Sequence, residues 1–487
     1  MKKLVGLLFK VHKYTGTVIS VFFLMWFLSG LVLIYHPYPR VPEDMFNSKK
    51  ETLPSSLPEI EYIRERAGDE ITGLKVRQFQ EQTLMDIKTN GKKITLTTDT
   101  LHQIKPIDFK CVEKVAKHWT DAPVKKVDTL RKRSQWVLFS RYERELPIYK
   151  FHFEDKDKTQ LFISGKTADV QQLTTSRTRF WAYIGAIPHK LYIPALRRNT
   201  QMWMDSFVVG ASVCLAAALT GFILGLYILI RRKRVKGVWG NPYRTRWQRI
   251  HFAAGLIFGI FLVSWAVSGL FAMKRVPQWL IKTEAPYVFD KTRLWGKNLL
   301  PLDAYKLSFN KVKEAYPQLK EITLARFAEV PAYIIIEGAN ERYLDASKEE
   351  VSILDIPQQT IEDGFKRIYG DSVQIAVSKL EEYDNYYINL RQTYTLPVYK
   401  VEVENNDKDL YYVSPEDGYI KYFNKNKKAD RWLFNFLHYF NLPSLLSRPA
   451  LWSAIIWILC AGCAVVCLSG VVLGMKSLLR KINKLKL

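Results

Sequence analysis

The sequence predicts an α-helical membrane protein: four transmembrane helices from a tandem duplication, carrying two external α+β domains. Three observations predict it. Four long runs are nearly free of charge, the first and third runs repeat one another as do the second and fourth, and the segments between the members of each half carry helix and strand patterning.

The apolar runs cover residues 14–35, 207–230, 252–273 and 451–475. Each is long enough to cross about 30 Å of hydrocarbon as a helix. The first exceeds a signal-peptide core and no small-residue cleavage pattern follows it, so it reads as a retained anchor. The organisation is therefore a first helix within 1–36, an external domain over 37–206, a second helix over 207–230 and a basic loop over 231–250. A third helix over 251–273, an external domain over 274–450, a fourth helix over 451–475 and a basic tail over 476–487 complete it.

Charge sets the expected orientation. The chain of 487 residues carries 72 Lys and Arg against 47 Asp and Glu, a formal charge of +25. Much of the excess lies in three acid-free segments: Lys2 to Lys13, Arg231 to Arg249, and Lys476 to the end. All three fall on one side of the membrane, as the positive-inside rule expects of a cytoplasmic face. The expectation is a bacterial inner-membrane, multi-pass protein with both termini cytoplasmic and both large loops periplasmic. A charge excess explained by topology removes the main argument for nucleic-acid binding.

Cysteine usage gives no disulfide framework, since Cys111 alone lies in an external loop. Cys460, Cys463 and Cys467 share a helical stripe, read as small residues at a helix interface rather than a metal site. No C-x-x-C-H occurs, which excludes covalent c-type haem. Neither loop holds a Ser/His/Asp order or a phosphate-binding glycine loop.

The external domains are read from the second one. A helical run spans Leu302 to Tyr316, a strand Tyr333 to Glu337, a helix Thr360 to Tyr369, and an extended segment Tyr386 to Leu390. A hairpin follows, with Tyr399, Val401 and Val403 alternating before Leu410 to Val413, and Pro415-Glu416-Asp417-Gly418 closes it.

The duplication is read residue by residue. At an offset of 239, His12 falls on His251, Gly16 on Gly255, Trp26 on Trp265, Ser29-Gly30 on Ser268-Gly269 and Leu31 on Leu270. At an offset of 249, His189 falls on His438, Pro194 on Pro443, Trp203 on Trp452, Gly221 on Gly470 and Gly225 on Gly474. Leu146 to Lys150 matches Leu396 to Lys400 at 250. Each half runs helix, external domain, helix, so the halves are parallel repeats about an axis along the membrane normal, and a site between them is expected.

The repeat also sorts the histidines. His12 pairs with His251 and His189 with His438, whereas His36, His102, His118 and His152 have no histidine partner and read as ordinary residues. Each pair belongs to one side of the membrane: His12 and His251 at the inner ends of their spans, His189 and His438 before the outer ends of theirs. Two imidazoles facing across a pseudo-two-fold axis are what bis-histidine haem iron requires. Gly30 follows His12 by five helical turns, about 27 Å along the same face. Gly30 and Gly269 are thus expected to let a flat macrocycle approach the backbone at the outer site, with Trp26 and Trp265 lining the path between sites. Arg197, Arg198 and Arg448 are candidates for the outer propionates.

The elements H-K-Y-x-G and W-x-x-S-G in the first span, R-I-H-x-x-x-G in the third, and the pre-span His189 and His438 resemble the PepSY-associated transmembrane family. The hairpins at Leu396 to Phe423 and Leu146 to Gln171 resemble PepSY domains. This resemblance, which covers nearly the whole chain, implies an inner-membrane di-haem reductase of ferric siderophores serving iron uptake. It implies two b-type haems, with His12, His251, His189 and His438 as the iron's axial ligands.

The expected function is electron transfer across the membrane to a ferric siderophore or other iron chelate in the periplasm, with a quinol or an electron-donor protein as the source and membrane lipid as the surroundings. The alternative class is a PepSY-type binding or regulatory protein without haem. A transporter is disfavoured, because the spans contain no acidic residue and no broken helix.

Overall fold

The structure, a computed structural model, describes residues 2–60, 62–63, 71–89, 92–98, 102, 106–273, 276–296 and 299–485. Four helices are long and apolar enough to cross a membrane: Lys2–Tyr35, Thr200–Lys236, Arg246–Met273 and Pro449–Leu485. They outrun the apolar stretches, chiefly at the end that carries the basic residues. Nothing in Lys2 to Lys13 breaks a helix, so backbone hydrogen bonding continues past the point where hydropathy falls. The second helix is set off by its caps: Asn199 accepts from the Met202 amide at its start, and Gly237 closes it with φ of 71°.

The four helices pack in a ring, first to second, second to third, third to fourth and fourth back to first. Their shared core includes Phe23, Phe27, Ala217, Leu262, Ala266, Ile456, Cys463 and Cys467. Small residues let the helices approach closely, as packing in lipid demands. A Cβ on Gly462 would run into the Phe258 ring, and one on Gly259 would lie 2.8 Å from Phe222. The cysteine stripe belongs to this seam: Cys460, Cys463 and Cys467 are all buried in it. Large apolar side chains such as Val18, Ile257 and Ile458 point outward, as on a lipid-facing surface.

At the other end of the bundle stand three antiparallel sheets. In chain order the strands are β1 (Ile71–Phe79), β2 (Gln82–Thr89), β3 (Lys92–Thr97), β4 (Val124–Leu130), β5 (Ile148–Phe153), β6 (Gln160–Ser164) and β7 (Val170–Thr174). The second half supplies β8 (Leu319–Phe327), β9 (Val330–Glu337), β10 (Asn340–Asp345), β11 (Ile375–Leu380), β12 (Val398–Val403), β13 (Leu410–Val413) and β14 (Ile420–Phe423). Each half owns one four-stranded sheet, β4-β5-β6-β7 or β11-β12-β13-β14. The third sheet is shared, in the order β10-β9-β8-β1-β2-β3. The halves therefore join through one sheet as well as through the bundle.

The join is the pairing of β1 with β8, where Val76 faces Ile322 and Arg77 faces Glu321. Lys50 and Lys75 of the first half reach Glu321 of the second at 2.9 and 2.6 Å. Burial alone would raise the Glu321 carboxyl, but the two ammonium groups outweigh it and hold the group below its usual range.

Each four-stranded sheet is covered by an amphipathic helix at matching positions. Phe109–Trp119, capped by Asp108, buries Val112 and Ala116 against Phe151, Leu161 and Ile163. Gln358–Tyr369 buries Ile361 and Phe365 against Val401, Tyr411 and Val413. The expected hairpin is β12–β13, with Val401 opposite Tyr411.

The segment Tyr386 to Leu390 departs from expectation and is no strand. Asp384 accepts from the Tyr386 and Tyr387 amides at 2.9 and 2.7 Å, which bends the chain. Ile388 and Leu390 then drop onto the end of the bundle beside Leu446 and Trp452. The strand of this region is β11, whose apolar alternation lies a few residues earlier.

Candidate histidine-pair sites in the helix bundle

Each histidine pair expected from the repeat meets in space. The ring centroids of His12 and His251 lie 6.0 Å apart and those of His189 and His438 lie 6.2 Å apart. His12 and His251 sit within their long helices, two residues and one residue before the apolar runs begin, because the helices extend past those runs. His189 and His438 ride on short helical segments, Ala186–Lys190 and Leu437–Tyr439, that precede the second and fourth spanning helices.

The repeated residues explain how those short segments are aimed. Leu191 and Phe440, next in chain after them, take positive φ of 45° and 51° and turn the backbone sharply. Pro194 and Pro443 then open the next helical turn at its first position, where a missing amide costs nothing. Trp203 and Trp452 each donate their indole N–H back to the segment, to Lys190 O at 2.9 Å and Tyr439 O at 2.8 Å. Gly185 lets the first segment lie against the first spanning helix, since a Cβ there would come within 2.7 Å of Val32.

The second nitrogen of every ring is engaged. His12 Nδ1 faces Ala217 O at 3.0 Å, and His189 Nδ1 faces Trp26 O at 3.1 Å. His251 Nδ1 lies 3.2 Å from Val466 O and 3.0 Å from Ser469 Oγ, and His438 Nδ1 lies 3.0 Å from Ser268 Oγ. Ser469 and Ser268 donate their own protons to Val466 O and Trp265 O, so their oxygens accept from the imidazole. All four partners thus place the proton on Nδ1 and leave the Nε2 lone pair free, the arrangement that metal-ligating histidines use.

One motif, used four times, builds these cradles. A carbonyl, a hydroxyl three residues on and a glycine immediately after occur as Trp26/Ser29/Gly30, Ala217/Thr220/Gly221, Trp265/Ser268/Gly269 and Val466/Ser469/Gly470. A Cβ on Gly221 would lie 2.5 Å from His12 Cε1, one on Gly30 3.1 Å from His189 Cε1, and one on Gly470 3.5 Å from His251 Cε1. Gly30 therefore makes room for the imidazole itself. Gly269 meets no histidine; the nearest atom to its Cβ would be Ala211 Cβ at 3.9 Å. Thr220, Ser469, Gly221 and Gly470 escaped the reading of the sequence as site residues, although the repeat flagged both glycines. The differing hydroxyls Thr220 and Ser469 concealed the shared motif.

A cavity of about 760 Å³ opens at the outer pair, within the range of cofactor pockets. His189, His438, Gly30, Gly269, Trp26, Trp265 and Phe207 line it, so both expected glycines and both expected tryptophans border the same space. The Trp26 indole N–H is buried without a hydrogen-bond partner among the described residues. Arg197, Arg198 and Arg448 do not line this cavity. Arg197 stacks over the Trp203 ring at 4.4 Å and Arg198 donates to Arg133 O, while Lys190, Arg391 and Lys421 stand at the cavity instead.

Three of the four histidines without a repeat partner are engaged elsewhere. His36 stacks on Trp181 at 4.1 Å, His118 Nε2 meets Lys49 O at 2.9 Å, and His152 Nε2 meets Asp128 at 2.8 Å.

A haem fits the residues present. With each nitrogen about 2 Å from a central metal and each centroid about 1.2 Å further out, two axial imidazoles would have centroids about 6.4 Å apart. The observed 6.0 and 6.2 Å match that separation closely.

Fold and site together define an internally duplicated, four-helix membrane protein with a histidine pair near each end of its bundle. The family described as the PepSY-associated TM region matches residues 9–473, and the chain belongs to it. No curated protein matches the chain.

Proposed function

We propose that this is an inner-membrane di-haem b-type reductase that passes electrons from the cytoplasmic side or the quinol pool to a ferric siderophore or other ferric chelate in the periplasm. The observation that carries the reading is the pair of imidazole couples at 6.0 and 6.2 Å, every ring with Nδ1 hydrogen-bonded. Haem bound between the imidazoles would supply one-electron chemistry by cycling its iron between two valence states.

The chain's own residues do the rest. Carbonyl and hydroxyl partners hold a proton at each Nδ1 and fix the ring's orientation. Ile19, Leu262 and Cys463, buried in the shared core, pack the bundle interior between the two pairs. The basic ends of the helices set the orientation that directs electrons outward. Reducing the substrate iron releases it, because hard-oxygen chelators hold Fe(II) far less tightly than Fe(III). The connection between the second and third spanning helices, residues 237–245, is too short to fold a flavin or nicotinamide domain, which favours a quinol or a partner protein as donor.

The test is the reduced-minus-oxidised spectrum of the purified protein with a pyridine haemochrome assay, alongside His12→Ala and His438→Ala. Two b-type haems per chain, with one lost in each variant, is the expected result. A colourless protein that takes up no haem would overturn the reading in favour of a haem-free PepSY-type binding protein.

A further inference from the structure

The cavity at the outer histidine pair has a one-sided charge. Among the described residues that line it are three cations, Lys190, Arg391 and Lys421, and no carboxylate. None of the three forms an ion pair among the described residues, and neither does Arg431, which lies beside them at 2% exposure. Arg431 donates to Asn385 O and Asn441 O and keeps one terminal nitrogen without a partner among the described residues.

Lys421 and Lys190 are half-buried, whereas Arg391 is exposed at the cavity's rim. Lys421 lies on β14, donates to Tyr386 O at 2.6 Å, and sits over the rings of Tyr394 at 4.2 Å and Phe423 at 5.2 Å. Burial, reinforced by Arg431, pushes its ammonium down to about 7. Asp384, which accepts from the Tyr386 and Tyr387 amides and the Tyr412 hydroxyl, is the acid whose charge reaches this cluster; it forms no ion pair with Lys421 or Arg431, and burial outweighs its pull on both. Lys421 and Arg431 are kept from water with one distant carboxylate between them, which is costly, and an anion in the cavity would relieve that cost.

The remaining wall is apolar and aromatic, formed by residues such as Trp26, Phe207, Trp265 and Ile456. A ligand that satisfies both parts has a flat apolar body and carboxylates along one edge. We propose that Lys421, with Arg391 and Lys190, holds the propionate carboxylates of the outer haem, so that the second half's external sheet closes on the cofactor and positions it. This rests on the di-haem reading. The clamp belongs to one half only: at the offset of 250 the residue matching Lys421 is Gln171, which does not line the cavity.

A cation beside the propionates favours the more negative, reduced form of the haem. Redox titration of the full-length protein in detergent should therefore show one of two midpoint potentials shifted downward in Lys421→Met and restored toward the wild-type value in Lys421→Arg. The other potential should stay unchanged, which also reports that the variant is folded. Arg391→Gln should shift the same potential.

Stripping and reloading tests the carboxylates themselves. The wild type should take up haem b about tenfold to a hundredfold more tightly than its dimethyl ester at the outer site, and Lys421→Met should lose most of that preference. Unchanged potentials in Lys421→Met, or equal uptake of acid and ester by the wild type, would overturn the clamp while leaving the di-haem reading intact. A wild type without haem would overturn both.

Discussion

A single methyl group is a sharp probe of the imidazole cradles. Gly221→Ala would place its Cβ 2.5 Å from His12 Cε1 and 2.7 Å from its Nδ1, whereas Gly470→Ala would sit 3.5 Å from His251 Cε1, an ordinary contact. Under the di-haem reading we expect Gly221→Ala to lose the inner haem and Gly470→Ala to keep it, as read by haem per chain. Equal behaviour of the two variants would refute the cradle geometry. The hydroxyls differ in the same graded way. His438 Nδ1 has Ser268 Oγ as its hydrogen-bond partner, while His189 keeps Trp26 O at 3.1 Å even without Ser29, whose Oγ is 3.4 Å away. Ser268→Ala is therefore expected to weaken haem retention at the outer pair by about 10- to 100-fold, with Ser29→Ala nearly silent. Haem-transfer assays to an acceptor protein measure the difference.

At the scale of elements, the shared sheet turns on one carboxylate. Glu321 is buried between Lys50 and Lys75, and removing its charge leaves two partly exposed ammonium groups of the first half without their partner on β8. We expect Glu321→Gln to cost about 1–2 kcal/mol, less than a fully buried pair because both lysines see solvent. Since its folded value lies below the unfolded one, near pH 4.3, this stabilisation is fully present above that point and fades as the pH falls through the depressed folded value. Thermal unfolding from pH 6 to pH 3 should show the wild type and Glu321→Gln converging in acid; a constant gap would exclude the pair as its cause. The sequence did not disclose this element. Pairing β1 with β8 joins residues some 245 apart, and no local periodicity reports such a partner. Local patterns did disclose the β12–β13 hairpin and the helix at Gln358–Tyr369, whose alternation and amphipathicity are consequences of covering one sheet face. Tyr386 to Leu390 was misread for a related reason: its apolar residues do face a core, but it is the end of the membrane bundle, reached through the bend at Asp384. Trp203 and Trp452 are visible as a repeat, yet their latch onto the histidine segments is a tertiary contact that no local pattern reports.

At the scale of the whole molecule, each histidine pair takes one ring from each half. His12 and His189 belong to the first half, His251 and His438 to the second, and each ring is clamped by its own half, as with His12 by Ala217 and His251 by Val466. A half therefore contains two finished cradles and no finished site. The chain can be parted between the second and third spanning helices, in the connection 237–245, without cutting a described helix or strand. Either half expressed alone should then retain no bis-histidine haem, and the two co-expressed should recover both, as read by low-spin haem absorbance after co-purification. Two identical halves are poor substitutes for the natural pair. A second copy of the first half would bring Lys50 and Lys75 to the shared sheet with no Glu321 to receive them, and would supply Gln171 where the cavity has Lys421. Duplication gave the bundle its symmetry, and these later differences make the two halves complementary rather than interchangeable. A first half that alone assembled two low-spin haems would show that the differences are incidental, and that the site needs only the repeated histidines.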